Sequence, residues 1–223
     1  KYPFLVHDCK RINERFSIFP LMSSGLGKFC DYIKKEINVP LDDKHNKAGW
    51  LLYDSKNNSC HELRLEEYAD LFHIAHIEHI YKGVYKIYAP FVYNFPLWVS
   101  GSGKLDIRLK ESIIDIDKKT VVQTIDTNLN LDFLHKVGDE LIGSCLEEKP
   151  SIIKYNMVTK QHTRINLNGG IVRAINPCGD YLLYFSHETN NSYLYIANIT
   201  NGETINKIEV PHRLPGFHTT LFD

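Results

Sequence analysis

Two stretches of the chain carry nearly the same pattern 41 residues apart: Gly138-Asp139-Glu140-Leu141-Ile142-Gly143 and Gly179-Asp180-Tyr181-Leu182-Leu183-Tyr184. In each, a Gly-Asp turn opens an apolar strand. A second apolar run with an Asx residue follows, Ile152-Ile153-Lys154-Tyr155-Asn156 and then Tyr193-Leu194-Tyr195-Ile196-Ala197-Asn198. A few polar residues lead on to a third run, over 161–167 and 203–210. A period of about 40 residues built from short strands restricts the chain to repeat architectures, in which each unit buries its apolar face against its neighbours.

The same hairpin grammar occurs earlier, in Trp50-Leu51-Leu52-Tyr53-Asp54 and in Ile113-Ile114-Asp115-Ile116-Asp117. An Asx oxygen at the end of a strand can accept backbone N–H groups of the following turn, so Asp54, Asp117, Asn156 and Asn198 read as turn-closing residues. Asp117 and Asn156 are 39 residues apart, but Asp54 and Asp117 are 63 apart, which leaves room for an insertion. The helix formers Glu66, Glu67, Ala69 and Leu71 place it over 65–80 and predict a short helix there. A second short helix is predicted over 25–37, where Leu26, Phe29, Ile33 and Ile37 line one face.

In these four-run repeats the chain resembles a β-propeller, with WD40-like blades that lack the Gly-His and Trp-Asp signature. The resemblance covers 48–66 and 105–223 and implies a mainly β fold of antiparallel four-stranded blades, decorated by helices near 25–37 and 65–80. About five blades fit the length. Residues 1–47 form an amino-terminal decoration, and 1–223 reads as one propeller-like domain or part of a larger propeller, with 211–223 opening a further blade.

A formal charge of −1 gives no field to draw the molecule to nucleic acid. No apolar run is long enough for membrane insertion. Cys9, Cys30, Cys60, Cys145 and Cys178 are odd in number and contain no Cys-x-x-Cys pair, so an intracellular thiol chemistry is preferred over a secreted disulfide framework. Asn57, Asn190 and Asn198 open glycosylation acceptor triplets, which matter only in a secreted chain.

No catalytic set emerges from the sequence. His73, His76 and His79 are the nearest approach to a metal set. Ligands on a helix usually pair four apart, and these steps of three leave the outer two about 120° apart, so no metal centre is nominated. Residues 101–104, Gly-Ser-Gly-Lys, lack the spacing of a phosphate loop. Cys60 and His61 are strand neighbours that point to opposite faces. The acids Asp106, Asp115, Asp132, Asp139, Glu140 and Asp180 offer no pair for glycoside chemistry. No cofactor is implied.

The expected function is therefore a non-enzymatic protein–protein interaction module, a scaffold whose partner is another protein. Tyr85, Tyr88, Phe91, Tyr93, Phe95 and Trp98 are the candidate partner-binding residues. The alternative is a secreted glycan-binding or glycan-hydrolysing propeller, which the acceptor triplets and the tyrosine content favour.

Overall fold

The computed structural model describes residues 8–22, 47–94, 106–145, 149–188 and 191–210. The predicted helix over 25–37, Phe95, Trp98, residues 101–104 and the segment 211–223 lie outside the described residues. The chain divides into two compact units, Lys1–Leu129 and Asn130–Asp223. All regular structure among the described residues is β-strand, in four antiparallel sheets of four or five strands, as a propeller-like fold requires.

In the first unit, β1 (Lys10–Arg11), β2 (Phe16–Leu21), β3 (Gly49–Asp54) and β4 (Ser59–Arg64) pair in chain order. The second sheet is built on β7 (Val84–Tyr93). One edge of β7 pairs with β8 (Asp106–Asp115), which pairs in turn with β9 (Thr120–Asp126). The other edge is shared by β5 (Asp70–Leu71) at one end and β6 (His76–Tyr81) at the other. The central strand β7 is buried on both faces along most of its length, whereas β9 is mostly solvated. The core of this unit joins Ile18, Trp50 and Leu52 to Leu71, Ile87, Phe91 and Ile114, with Trp50 edge-on to Phe91 at 6.4 Å.

The second unit repeats one pattern twice: β10 (Asp132–Val137), β11 (Glu140–Cys145), β12 (Ser151–Asn156) and β13 (His162–Asn166), then β14 (Ile171–Cys178), β15 (Tyr181–His187), β16 (Ser192–Asn198) and β17 (Thr204–Val210). Gly138 and Gly179 both take φ +57° at the first position of a two-residue hairpin loop, where a glycine costs least. Even the irregularities recur at the 41-residue period, since Phe133 (φ +51°) and Ala174 (φ +48°) mark a bulge in the first strand of each sheet. The core of this unit is Ile142, Ile152, Ile165, Leu182, Tyr184 and Tyr195 with their neighbours.

The four hairpins β3–β4, β8–β9, β12–β13 and β16–β17 close alike. Asp54 Oδ1 accepts Lys56 N and Asn57 N at 3.0 and 3.3 Å, and Asn156 Oδ1 accepts Val158 N and Thr159 N at 3.0 and 2.8 Å. Asn198 Oδ1 accepts Thr200 N and Asn201 N at 2.7 and 3.3 Å. In the second sheet the closing residue is Asp115, not Asp117, and its Oδ1 accepts Asp117 N and Lys118 N at 3.1 and 2.9 Å. Strand β8 ends two residues earlier than the apolar run suggests, and Asp117 sits inside the turn. Four residues after each cap the backbone is left-handed, at Asn58, Lys119, Lys160 and Gly202.

The predicted helix over 65–80 does not form. Asp70–Leu71 and His76–Tyr81 are strands against β7 instead. A single run of helix formers is too short to offset the ladder that the ten-residue β7 offers. Gly83 at φ +73° turns the chain back after Tyr81, and a side chain there would run into the Asp117 carboxylate.

Candidate functional site

The segment carrying the three histidines is now an irregular connection followed by a strand, and that separates their fates. His76 and His79 lie on β6 opposite Tyr88 and Tyr85. Three residues apart on a strand, they point to opposite faces. His76 stacks on Tyr88 with centroids 6.2 Å apart, and the exposed His79 leans on Tyr85 at 5.0 Å. Among the described residues no group of three His, Cys, Asp or Glu converges on one point.

His73 differs from both. It sits between β5 and β6, its ring lies against Phe72 at 6.4 Å, and its Nε2 is out of contact with solvent. The two peptides that follow it are fixed by hydrogen bonds. Ala75 N donates to Tyr88 O at 2.8 Å, and Ile74 N donates to Asp8 Oδ2 at 2.7 Å. The other carboxylate oxygen of Asp8 accepts Cys9 N at 2.7 Å. Asp8 thus ties the start of the first described segment to the residue after His73, 66 positions away. Neither link is visible as a motif, because Asp8 is one acid among many until the pairing of the sheets is known.

Of the candidate partner-binding aromatics, Tyr88 and Phe91 have no solvent exposure and Tyr85 is buried with them. Tyr93 is half-buried, and its hydroxyl donates to Glu67 Oε2 at 2.5 Å. These side chains fill the sheet instead of lining a surface. Lys110 Nζ donates to the same Glu67 oxygen at 2.7 Å and lies 5.3 and 5.4 Å from the centres of the Phe91 and Tyr93 rings. Burial, with the Glu67 carboxylate beside it, pushes the Tyr93 hydroxyl well above the ordinary phenol range. The cluster is a satisfied internal ion pair that pins the chain after β4 to β7 and β8.

The second unit holds a comparable cluster. Tyr184 and Tyr195 stack at 5.0 Å, and Lys207 Nζ lies 3.7 Å from the centre of the Tyr193 ring and 3.0 Å from Glu188 Oε1. Tyr195 OH donates to the same glutamate at 2.8 Å. Burial pushes the Tyr184 hydroxyl up to about 12, with Tyr195 adding to it, while Lys207 holds the Glu188 carboxyl below its usual range.

Solved structures share this fold. A mutant of the Synechocystis apocarotenoid oxygenase matches 97% of this chain and 52% of its own, at 14% identity and a TM-score of 0.66. A cobalt-substituted form of that enzyme matches 96% and 52%, at 13% and 0.65. The Pseudomonas brassicacearum lignostilbene dioxygenase matches 96% and 54%, at 12% and 0.65. The chain spans about half the length of these proteins. No family model matches, and no curated protein matches by sequence. The comparison overturns two expectations. The structures that match nearly the whole chain include an apocarotenoid oxygenase and a lignostilbene dioxygenase, enzymes where a non-enzymatic WD40-like scaffold or a glycan-acting propeller was expected. The expected interaction module rested on the absence of a legible catalytic set, and a fold shared with oxygenases contradicts it.

Proposed function

We propose that the protein containing this chain is an oxygenase acting on a conjugated alkene, the chemistry common to an apocarotenoid and a lignostilbene. The observation that carries the reading is the match of nearly the whole chain to oxygenases of two substrate names at TM-scores of 0.65 and 0.66. At 12–14% identity the reaction itself is not inherited with the fold, so the reading stands on its test.

The cobalt-substituted form of the neighbour denotes a metal site in that protein. Among the described residues of this chain no three His, Cys, Asp or Glu side chains converge, so these residues by themselves do not fit such an ion. A bound transition metal would supply redox chemistry toward dioxygen. What the chain itself does is keep the His73 Nε2 out of contact with solvent and fix the two peptides that follow His73 by hydrogen bonds to Asp8 and Tyr88.

The test is oxygen uptake by the full-length protein with an apocarotenoid and with a lignostilbene, followed by mass spectrometry of the products formed under ¹⁸O₂. Incorporation of the label into a product of either alkene supports the reading. Absence of uptake with both, from protein whose metal content has been verified, sinks it.

A further inference from the structure

The chain contains two Asn-Gly pairs, Asn168-Gly169 and Asn201-Gly202. In such a pair no Cβ shields the glycine nitrogen, which can close on the asparagine Cγ, and asparagine is accordingly among the thermolabile residues. The fold treats the two pairs differently. Gly202 N donates to Asn198 O at 2.9 Å, Asn201 Oδ1 accepts Glu203 N at 3.0 Å, and Gly202 is buried against the Asn166 carbonyl. The Gly202 nitrogen is therefore committed to the hairpin turn. Asn168 and Gly169 are exposed in the connection from β13 to β14, and among the described residues Gly169 N meets no acceptor. Two hydrogen bonds favour ring closure there. Tyr184 OH donates to Asn168 O at 3.0 Å, the oxygen on which negative charge collects when Gly169 N gives up its proton. Burial raises the pKa of that phenol to about 12, so it stays a donor at neutral and mildly alkaline pH. Asn168 Nδ2 donates to Thr204 Oγ1 at 2.9 Å, which sets a hydroxyl beside the nitrogen that departs.

We propose that Asn168 is a self-modifying site, deamidating in the folded protein with Tyr184 and Thr204 assisting, and that Asn201 is protected. Solvent base takes the Gly169 N proton, the nitrogen attacks Asn168 Cγ, and a C–N bond forms as the Cγ–Nδ2 bond breaks. Nδ2 leaves as ammonia, taking a proton from the Thr204 hydroxyl, which regains one from solvent. Water then opens the succinimide at either carbonyl and leaves aspartate or isoaspartate at position 168, with no change of oxidation state. The isoaspartyl form lengthens the backbone by a methylene in the connection between the two sheets of the second unit. None of this depends on the oxygenase reading.

The experiment incubates the full-length native protein in mildly alkaline ¹⁸O water and follows both sites by peptide mapping, with the guanidinium-unfolded protein as reference. Mass spectrometry reads the exchange of amide nitrogen for labelled oxygen, and isoaspartyl methyltransferase reads the isoaspartate. In native protein Asn168 is expected to convert several times faster than Asn201, whereas the two convert at similar rates once the chain is unfolded. Native conversion at Asn201 as fast as at Asn168, or no conversion at Asn168 in the time the unfolded chain completes it, overturns the proposal. Tyr184→Phe keeps the stacked ring and is expected to slow native conversion at Asn168 roughly two- to tenfold, the worth of one neutral hydrogen bond, with the unfolded rate unchanged. An unchanged native rate in folded Tyr184→Phe protein overturns the assistance by Tyr184. Should that variant fail to fold, the ratio of the two sites in the wild type decides.

Discussion

At the scale of single residues the hairpin caps do the most, and they do it with few atoms. Asn156 satisfies two turn N–H groups that no strand reaches, so Asn156→Ala is expected to lower stability by about 1 kcal/mol in urea unfolding. Asp117→Ala is expected to leave the midpoint nearly unchanged, because the accepting carboxylate in that hairpin belongs to Asp115. Equal losses at both positions would contradict the assignment. Asp54 adds charge to the same device. Its carboxylate has no solvent exposure and receives Arg15 Nε at 2.8 Å and Arg15 Nη2 at 2.5 Å, besides the turn N–H groups. The Arg15 hydrogen bonds hold its carboxyl far below the usual carboxylate range. A folded value below the unfolded one means that the stabilisation is complete above about pH 4, the ordinary carboxylate value, and fades as the pH falls further toward the folded value. The difference in melting temperature between wild type and Asp54→Asn is therefore expected to be largest at pH 5–7 and to narrow from pH 4 down to 2.5. A difference that stays constant over that range would mean that the ion pair contributes nothing.

At the scale of elements, the cap is followed four residues on by a left-handed residue, and the occupant varies: Asn58, Lys119, Lys160 and Gly202. A lysine pays a steric cost there that glycine avoids. Lys119→Gly is expected to raise stability by about 0.5 kcal/mol after the added freedom of the unfolded chain is subtracted. The reverse exchange does not follow the same rule. A Cβ on Gly202 would press into the Asn166 carbonyl, so Gly202→Lys is expected to destabilise although lysine occupies the matching place in two other hairpins. A midpoint for Gly202→Lys equal to wild type would show that the turn moves freely. These turns also show what was legible beforehand. The hairpins at 54, 156 and 198 were readable because Asx chemistry is local. The cap at 115 was missed by two residues, since both aspartates suit a turn and only the ladder with β7 and β9 decides where β8 ends. The helix over 65–80 was misread for a related reason. The propensity of Glu66 to Leu71 is a local quantity, and the partner strand that overrides it lies beyond Gly83.

At the scale of the whole molecule, the candidate site was the least legible part. His73 stood out in the sequence only as one of a triplet, and its separation from His76 and His79 comes from a bond to Asp8 and from the edge of β7, neither of which has a sequence signature. The repeat, by contrast, was legible because each sheet obeys the same local rules. That regularity has an energetic consequence. Each of the two units closes a hydrophobic core of its own, around Trp50 and Leu52 in Lys1–Leu129 and around Leu182 and Tyr184 in Asn130–Asp223. Leu52 and Leu182 are both without solvent exposure, and truncating either to alanine leaves a cavity costing about 2–5 kcal/mol. In hydrogen exchange, Leu52→Ala is expected to weaken protection in β2, β3 and β7 by that amount while β11, β12, β15 and β16 keep theirs, and Leu182→Ala is expected to do the reverse. Equal loss across all of these strands in both variants would mean that the sheets open as one cooperative body, and the two cores would then have to be treated as a single unit of stability.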